Sequence, residues 1–157
     1  MKITQFGIWL VTATTLVACG QEQSSAPPAT SPDASPPELQ RTAANSDARV
    51  FFITPADGAS VTSPVVVEFG IESMMVVPAG DSTANSGHHH VLVDTDLPDM
   101  SFPVPKDERH VHFGDGSSAT ELELAPGEHT LQLLFADFLH IPHEPPVYSE
   151  RITITVE

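Results

Sequence analysis

The chain has 157 residues and a formal net charge of −15 at pH 7, from 21 acidic and 6 basic side chains. Such an acidic surface repels nucleic acid and anionic lipid headgroups and favours cations. A single cysteine excludes a disulfide within the chain, and no G-x-S-x-G, phosphate-loop or H-E-x-x-H motif indicates a catalytic site.

The first 18 residues are typical of a secretory signal peptide. A positive charge at Lys2 is followed by an apolar run that is too short to span a bilayer comfortably. The run ends in LVAC at residues 16–19, which resembles the lipobox of bacterial lipoproteins, where cleavage before the cysteine precedes acylation. The resemblance implies lipidation at Cys19 and stable membrane anchoring. Because Gly20 and Gln21 follow rather than Asp, we expect an outer-membrane location that faces the periplasm.

The next segment, residues 19–48, is rich in Pro, Ser, Ala and Gln and has almost no large apolar side chains. Such a composition cannot bury enough apolar surface to offset the entropy of ordering the chain. We therefore predict a disordered tether after the signal peptide. Removal of residues 1–18 takes away one lysine, so the mature chain has a formal charge of −16.

Residues 49–157 are long enough for one domain with a single core. Short apolar and β-branched segments recur between Gly, Pro and Asp turns, and no long segment has helical periodicity. The pattern predicts an all-β fold, an antiparallel two-sheet sandwich of immunoglobulin type with about seven strands. The predicted strands are residues 50–53, 64–71, 88–94, 110–113, 120–125, 129–136 and 150–156.

Two long connections are expected to meet at one end of this sandwich. In the immunoglobulin fold, the loop between the second and third strands lies at the same end as the loop between the last two strands. These loops are residues 72–87 and 137–149. Both are long for a domain of this size, and long loops are usually functional. The sequence therefore predicts that function lies at this end.

The motif GHHHVLVD, residues 87–94, opens the third predicted strand. Side chains alternate between the two faces of a strand, and residues two apart lie about 6.5–7 Å apart along it. If the valines of this motif face the core, His89 faces the core with them. His88 and His90 then share the opposite face, where a pair of imidazoles can converge on one ion.

The fourth predicted strand repeats this pattern in HVHF, residues 110–113. Val111 and Phe113 are expected to face the core, which leaves His110 and His112 on the other face. If the third and fourth strands are neighbours, two His-x-His pairs share one face of the sheet.

Two further histidines, His140 and His143, are expected to fold over this rim from the loop of residues 137–149. Imidazole suits Zn²⁺ and Cu²⁺, and a nearby thioether from Met75 would shift the preference toward Cu⁺. Four carboxylates are available as extra ligands or to orient ring nitrogens: Asp81, Asp94, Asp137 and Glu144. The predicted metal ligands are His88, His90, His112, His140 and His143, with His110, Met75 and His89 as weaker candidates.

Other interpretations of the histidines remain open. His129 begins the sixth strand where such sandwiches often carry a tyrosine-corner residue, so we predict a structural corner there. In a second hypothesis the histidines only brace loops in a non-catalytic module that binds an envelope protein or glycan. A third is pH sensing, because protonation of several histidines below about pH 6 would offset much of the negative charge.

The segment RHVHFGDG, residues 109–116, resembles the copper-binding strand of copper/zinc superoxide dismutases, which are also β-sandwiches. The resemblance ends there, because SSATELEL follows with no His and no Cys. Those enzymes continue with a bridging-histidine region and a zinc loop closed by a disulfide. We therefore predict that the protein is not an enzyme.

A longer resemblance covers nearly the whole of residues 49–157. The segments VFFITPADGASVTSPVVVEFG, MMVVPAGD, SGHHHVLVD, HFGDG, APGEHTLQLLFAD and HIPHEPPVYSERITITV occur in the order seen in the bacterial family catalogued as domain of unknown function 4399. By its name the family supplies no activity, substrate or cofactor. The resemblance implies that seven histidines are family features: His88, His89, His90, His112, His129, His140 and His143.

Overall fold

The computed structural model of the chain describes residues 39–157. The predicted signal peptide, the predicted lipidation site Cys19 and most of the predicted tether lie outside these residues. In the part of the chain that the structure describes, no helical segment has the length and hydropathy that a membrane span needs.

The described residues form ten β-strands in two sheets. One sheet has three strands in the order β1-β3-β7, and the other has the order β2-β10-β8-β5-β4, with β6 paired to β5 and β9 paired to β8. The all-β, two-sheet prediction is confirmed. The strands are β1 (Arg49–Thr54), β2 (Ser60–Val61), β3 (Val65–Glu72), β4 (Met75–Val76), β5 (Ser86–Val93), β6 (His110–His112), β7 (Ala119–Leu122), β8 (Gly127–Ala136), β9 (Pro142–Tyr148) and β10 (Ile152–Val156).

Three of these strands were not predicted. β2 and β4 have two residues each, which is too short for any periodic pattern to reveal. β9 carries three prolines, and proline cannot donate to a sheet ladder, so the segment resembles a loop in the sequence. Among the strands it pairs with β8, where its register shifts between Phe135 and Ala136, and a position with an irregular register tolerates proline.

The main core lies between the two sheets and follows the two-residue period of strands. In β3, Val65, Val67 and Phe69 are buried while the residues between them are exposed. Burying one such side chain contributes about 1.5–3 kcal/mol. The other buried members of this core come from both sheets: Val50, Val91, Val93, Phe113, Leu122, Leu131, Leu133, Phe135, Val147, Ile152, Ile154 and Val156.

The central strand β5 is buried on both faces, since all eight of its residues are buried. A strand with one face in water would show alternation instead. The face away from the main core is covered by the connection between β5 and β6, residues 94–109. From this connection Val104 packs with Leu92 and Leu134 in a second apolar cluster. His88 and His90 therefore lie on the predicted face but are only 0% and 1% exposed.

Part of the predicted tether contacts the folded domain. The Ala44 N–H donates to the Glu144 carbonyl at 3.1 Å, and the Glu144 N–H donates to the Thr42 carbonyl at 2.9 Å. The Arg41 guanidinium donates to the carbonyls of Pro142 and His143 and pairs with the Glu144 carboxylate. The segment of residues 41–44, which we call the docking segment, therefore lies along β9 rather than free in solvent.

The geometry at His129 favours the predicted structural corner. Its Nε2 lies 2.8 Å from the Ala125 carbonyl oxygen and its Nδ1 lies 2.7 Å from the Asp94 carboxylate. Both partners only accept hydrogen bonds, so the ring donates from both nitrogens when it is protonated. The hydrogen bond to Asp94, and next the one to Ala125, raise the pKa of His129.

Candidate metal centre

Strand pairing brings the two His-x-His motifs together. β5 pairs antiparallel with β6, with His90 opposite His112 and Leu92 opposite His110. The condition under which the sequence places both motifs on one face, that these strands are neighbours, is therefore met. Because side chains two apart share a face, His88 also lies on the side of β5 that carries His90.

Three imidazoles form a compact group at this position. His88, His90 and His112 each offer one ring nitrogen, and these nitrogens all lie within 4.8 Å of one another. The ring centroids are 4.9 Å apart for His88 and His90, 4.9 Å for His88 and His112, and 5.1 Å for His90 and His112. The three side chains are therefore close enough to bind one ion.

His140 adds a fourth imidazole from the connection between β8 and β9. Its Nε2 lies 3.1 Å from Nε2 of His112. Its ring centroid lies 4.8 Å from that of His88, 4.7 Å from that of His112 and 6.0 Å from that of His90. We call these four residues the histidine cluster.

The spacing of the histidine cluster fits tetrahedral coordination. With a zinc–nitrogen distance of about 2.0–2.1 Å, two nitrogens of a tetrahedral site lie about 3.3 Å apart and their ring centroids about 5.2 Å apart. The observed centroid separations run from 4.7 to 6.0 Å. Five of the six separations lie between 4.7 and 5.1 Å, and only His90 and His140 are farther apart, at 6.0 Å. His88, His90 and His112 therefore form the tight group, and His140 lies beside it.

Several ring nitrogens of the cluster are buried without a hydrogen-bond partner. Both nitrogens of His88 and Nδ1 of His90 find none among residues 39–157. Leaving a buried polar group unpaired costs about 1–3 kcal/mol. A neutral imidazole has one lone pair and one N–H, so a bound cation would give one nitrogen of each ring a partner. The orphaned nitrogens of His88 and His90 therefore point to a ligand.

The strand-borne histidines of the cluster are neutral near pH 7. Burial, together with the charges of neighbouring histidines, lowers the pKa of His88 to about 3 and that of His90 to about 2. Burial also lowers the pKa of His112, and the charges of His140 and Lys106 add to the effect. Neutral imidazole is the form that binds metal ions. These three imidazoles are therefore ready to bind an ion without first releasing protons.

A cavity of about 260 Å³ opens beside the cluster and gives an ion a route from solvent. Part of the connection of residues 94–109 lines this cavity. Its sequence does not indicate a functional role, because it has neither strand periodicity nor the spacing of metal ligands. Only its packing over β5 reveals its role. The cavity is lined by His90, Pro103, Val104, Pro105, Lys106, His112 and His140.

His89 lies on the core side of β5, where the alternation predicts it. Its ring centroid is 4.7 Å from that of Phe69 and 4.9 Å from that of Phe135. Neither ring nitrogen has a hydrogen-bond partner within the described part of the chain, and burial lowers its pKa to about 4. His89 is separated from the histidine cluster by the sheet itself.

Replacing His89 by leucine is expected to stabilise the chain by about 1–3 kcal/mol, because two buried unpaired nitrogens are removed while a similar volume is kept. Urea unfolding at pH 7 measures the change, and metal affinity is expected to stay at the wild-type value. A loss of stability on substitution would show that the His89 ring makes a polar contact that this geometry does not contain.

The structure does not bring His143 to the cluster. It lies in β9 and is 1% exposed, with its ring stacked on Phe135 at 5.8 Å between centroids. Its Nδ1 is 2.8 Å from the Thr42 hydroxyl. Its Nε2 lies close to Gly87, since a side chain at that position would place its Cβ only 3.0 Å away. Because Gly87 alternates with His88, this contact lies on the core side of β5. The expected loop is a strand, and its pairing with β8 directs His143 away from the rim.

The weaker candidates lie outside the group of three. The Nδ1 of His110 is 2.7 Å from the Asp107 carboxylate, so this nitrogen already has a partner. Met75 is 52% exposed on β4, where it pairs with Ser86.

Comparison with known proteins gives one match. The family model described as Domain of unknown function (DUF4399) matches residues 67–157, which include all eight histidines. The match begins within β3. No curated protein and no solved structure matches the chain.

Proposed function

The chain belongs to the family described as domain of unknown function DUF4399, and from its histidine cluster we propose that it binds one divalent transition-metal ion, zinc or copper. The observation that carries the proposal is the group of three imidazoles whose nitrogens lie within 4.8 Å of one another, with buried, unpaired nitrogens and with His140 beside them as a fourth. With the proposed lipid anchor at Cys19, the protein is an envelope lipoprotein that buffers, delivers or senses this ion.

The donor set supports a divalent ion of borderline softness. Four neutral imidazoles suit Zn²⁺ and Cu²⁺, whereas Cu⁺ prefers sulfur ligands. Tetrahedral spacing favours Zn²⁺, because Cu²⁺ prefers tetragonal geometry. The ion keeps its full charge in a neutral donor set, and the acidic chain, with a formal charge of −15, attracts it electrostatically.

A site with four protein ligands is better suited to binding an ion than to catalysing hydrolysis. Catalytic zinc sites usually have three protein ligands and keep one position open for water, whereas sites with four protein ligands are closed. With His140 in place beside His112, the cluster resembles the closed type. We therefore assign storage or transfer of the ion to the protein rather than catalysis.

Titration of the metal-free full-length chain tests the proposal. Zn²⁺, measured by calorimetry, and Co²⁺, measured by its visible absorption, are expected to bind with one equivalent and a dissociation constant below micromolar. His112→Ala is expected to weaken binding by at least about 100-fold, since a direct ligand matters at least as much as the outer-shell partners of metal sites. His110→Ala, two residues away on β6, is the matched control and is expected to stay within about threefold of wild type.

No binding by the wild-type chain tighter than roughly micromolar would contradict the proposal. Equal weakening by His112→Ala and His110→Ala would contradict the assignment of the ligands. Either result would favour the alternative function, a module that binds an envelope protein or glycan and in which histidines only brace the fold. Bracing fits His129, whose two ring nitrogens both have partners, and His143, whose Nδ1 has one. Neither nitrogen of His88 has a partner among residues 39–157.

A further inference from the structure

His140 differs from the other members of the histidine cluster because it does not lie in a strand. Its backbone has a φ of 66°, in the left-handed region. That region is unfavourable for residues other than glycine, and such residues persist there only where the surrounding structure determines them. The position of the fourth imidazole therefore depends on contacts made by its turn.

The buried carboxylate of Asp137, which is 2% exposed, fixes this turn. Its Oδ1 accepts hydrogen bonds from the N–H groups of Leu139 and Ile141, each at 2.9 Å. The Asp137 carbonyl accepts a third bond from the His140 N–H at 2.9 Å. These three bonds therefore fix the backbone of His140 and of the residues immediately before and after it.

The second carboxylate oxygen of Asp137 is held by the docking segment. The Thr42 hydroxyl donates to Oδ2 at 3.1 Å and lies 2.8 Å from Nδ1 of His143. A hydroxyl has one proton to donate and a carboxylate only accepts, so His143 donates to the Thr42 oxygen. Thr42 thus connects the segment that precedes the domain to the residue that shapes the His140 turn.

We propose that Asp137 and Thr42 are positioning residues for His140, and that attachment of the docking segment to β9 regulates how tightly the histidine cluster holds its ion. This inference rests on the proposed metal-binding function. When the docking segment leaves β9, the Asp137 carboxylate loses one of its three side-chain hydrogen bonds and the His140 turn loosens. The ion is then held by three strand-borne imidazoles and is easier to transfer. The docking segment lies between the domain and the proposed lipid anchor, so a partner that binds this segment would trigger release.

Substitutions in the full-length chain test the inference. Thr42→Val removes the hydroxyl at nearly constant volume, and Asp137→Asn removes the charge. Both are expected to weaken Zn²⁺ binding by about 10–100-fold, the range typical of residues that orient metal ligands. Both are also expected to change the visible spectrum of bound Co²⁺, because the fourth ligand is lost or replaced by water.

Two control variants separate positioning from a general loss of stability. Thr42→Ser keeps the hydroxyl and is expected to bind metal like wild type. Thr83→Val removes a comparable bond, in which the Thr83 hydroxyl donates to the Asp81 carboxylate at 2.6 Å, and is expected to leave the affinity and the Co²⁺ spectrum unchanged.

The outcomes of this experiment are distinguishable. If the wild-type chain binds metal but Thr42→Val matches it in affinity and Co²⁺ spectrum, the inference is overturned while the proposed function stands. If the wild-type chain binds no metal, both are overturned. Because Thr42→Val removes only one hydroxyl, with its bonds to Asp137 and His143, it remains a valid test even if Asp137→Asn fails to fold.

Discussion

Saturating zinc is expected to raise the melting temperature of the chain by about 10–20 °C, because a ligand present at a thousand times its dissociation constant stabilises the folded state by about 4 kcal/mol. The double substitution His88→Leu/His90→Leu is expected to remove this increase. It eliminates two of the four imidazoles in the cluster. Thermal unfolding followed by circular dichroism, with and without zinc, measures both effects.

The melting temperature of the metal-free double variant separates the two candidate functions. Leucine is close to histidine in volume, and both substitutions remove buried nitrogens that have no partner in the described structure. The metal-free variant is therefore expected to melt no lower than wild type. If the histidines instead braced the loops, the variant would melt earlier whether or not zinc is present. That result, together with no zinc effect on wild type, would contradict metal binding.

Acid is expected to unfold the metal-free chain between about pH 4 and 5. The pKa of histidine in an unfolded chain is about 6.5, whereas burial lowers the pKa to about 3 for His88, about 4 for His89 and about 2 for His90. Between these values the unfolded state binds more protons than the folded state. The stability associated with each neutral histidine is thus fully present above pH 6.5 and is lost as the pH falls toward the folded pKa.

The size of the acid effect follows from proton linkage. Below pH 6.5, each histidine that stays neutral in the fold lowers the free energy of unfolding by about 1.4 kcal/mol per pH unit. Three such histidines together lower it by about 4 kcal/mol per unit. From pH 6.5 down to pH 4–5 the loss amounts to about 6–10 kcal/mol, which falls within the typical stability of a domain, about 5–15 kcal/mol. Urea unfolding at a series of pH values measures the slope.

Two comparisons check the origin of the acid effect. His88→Leu/His90→Leu is expected to reduce the slope and move the acid midpoint to lower pH, and an unchanged midpoint would exclude the cluster as its cause. His129 acts with the opposite sign, because its pKa is raised. Its contribution is fully present below pH 6.5 and is lost as the pH rises through its folded pKa. Because His88 and His90 stay neutral in the fold, acid acts on them by unfolding the domain, which disfavours the pH-sensing hypothesis.

Much of the site could be predicted because side chains alternate along a strand. The valines that follow the triple histidine assign His89 to the core and His88 and His90 to the other face, and the structure has them there. The same alternation assigns His110 and His112 to one face of β6. The regularity of the ladder makes these features local properties of short segments. The pairing of β5 with β6, which places His112 opposite His90, was only a condition in the sequence and came from the structure.

Other features could not be predicted because they depend on segments without periodicity. Alternation says which face of β5 carries His88 and His90 but not what packs over that face, and the connection of residues 94–109 buries them. Prolines conceal β9, so His143 was expected at the rim although its strand directs it to the core side. The contact between Thr42 and Asp137 joins positions 95 residues apart, and nothing in either local sequence specifies it.

The sequence by itself determined the all-β class, the family and the faces of the strand-borne histidines, because periodicity and motif order are written within short stretches of chain. Only the tertiary structure decided that His140 rather than His143 joins the cluster, and that His88 and His90 are buried and neutral. Those properties arise where irregular segments from distant parts of the chain pack against one another. The burial of one side chain depends on every segment that covers it, so no single stretch of sequence specifies it.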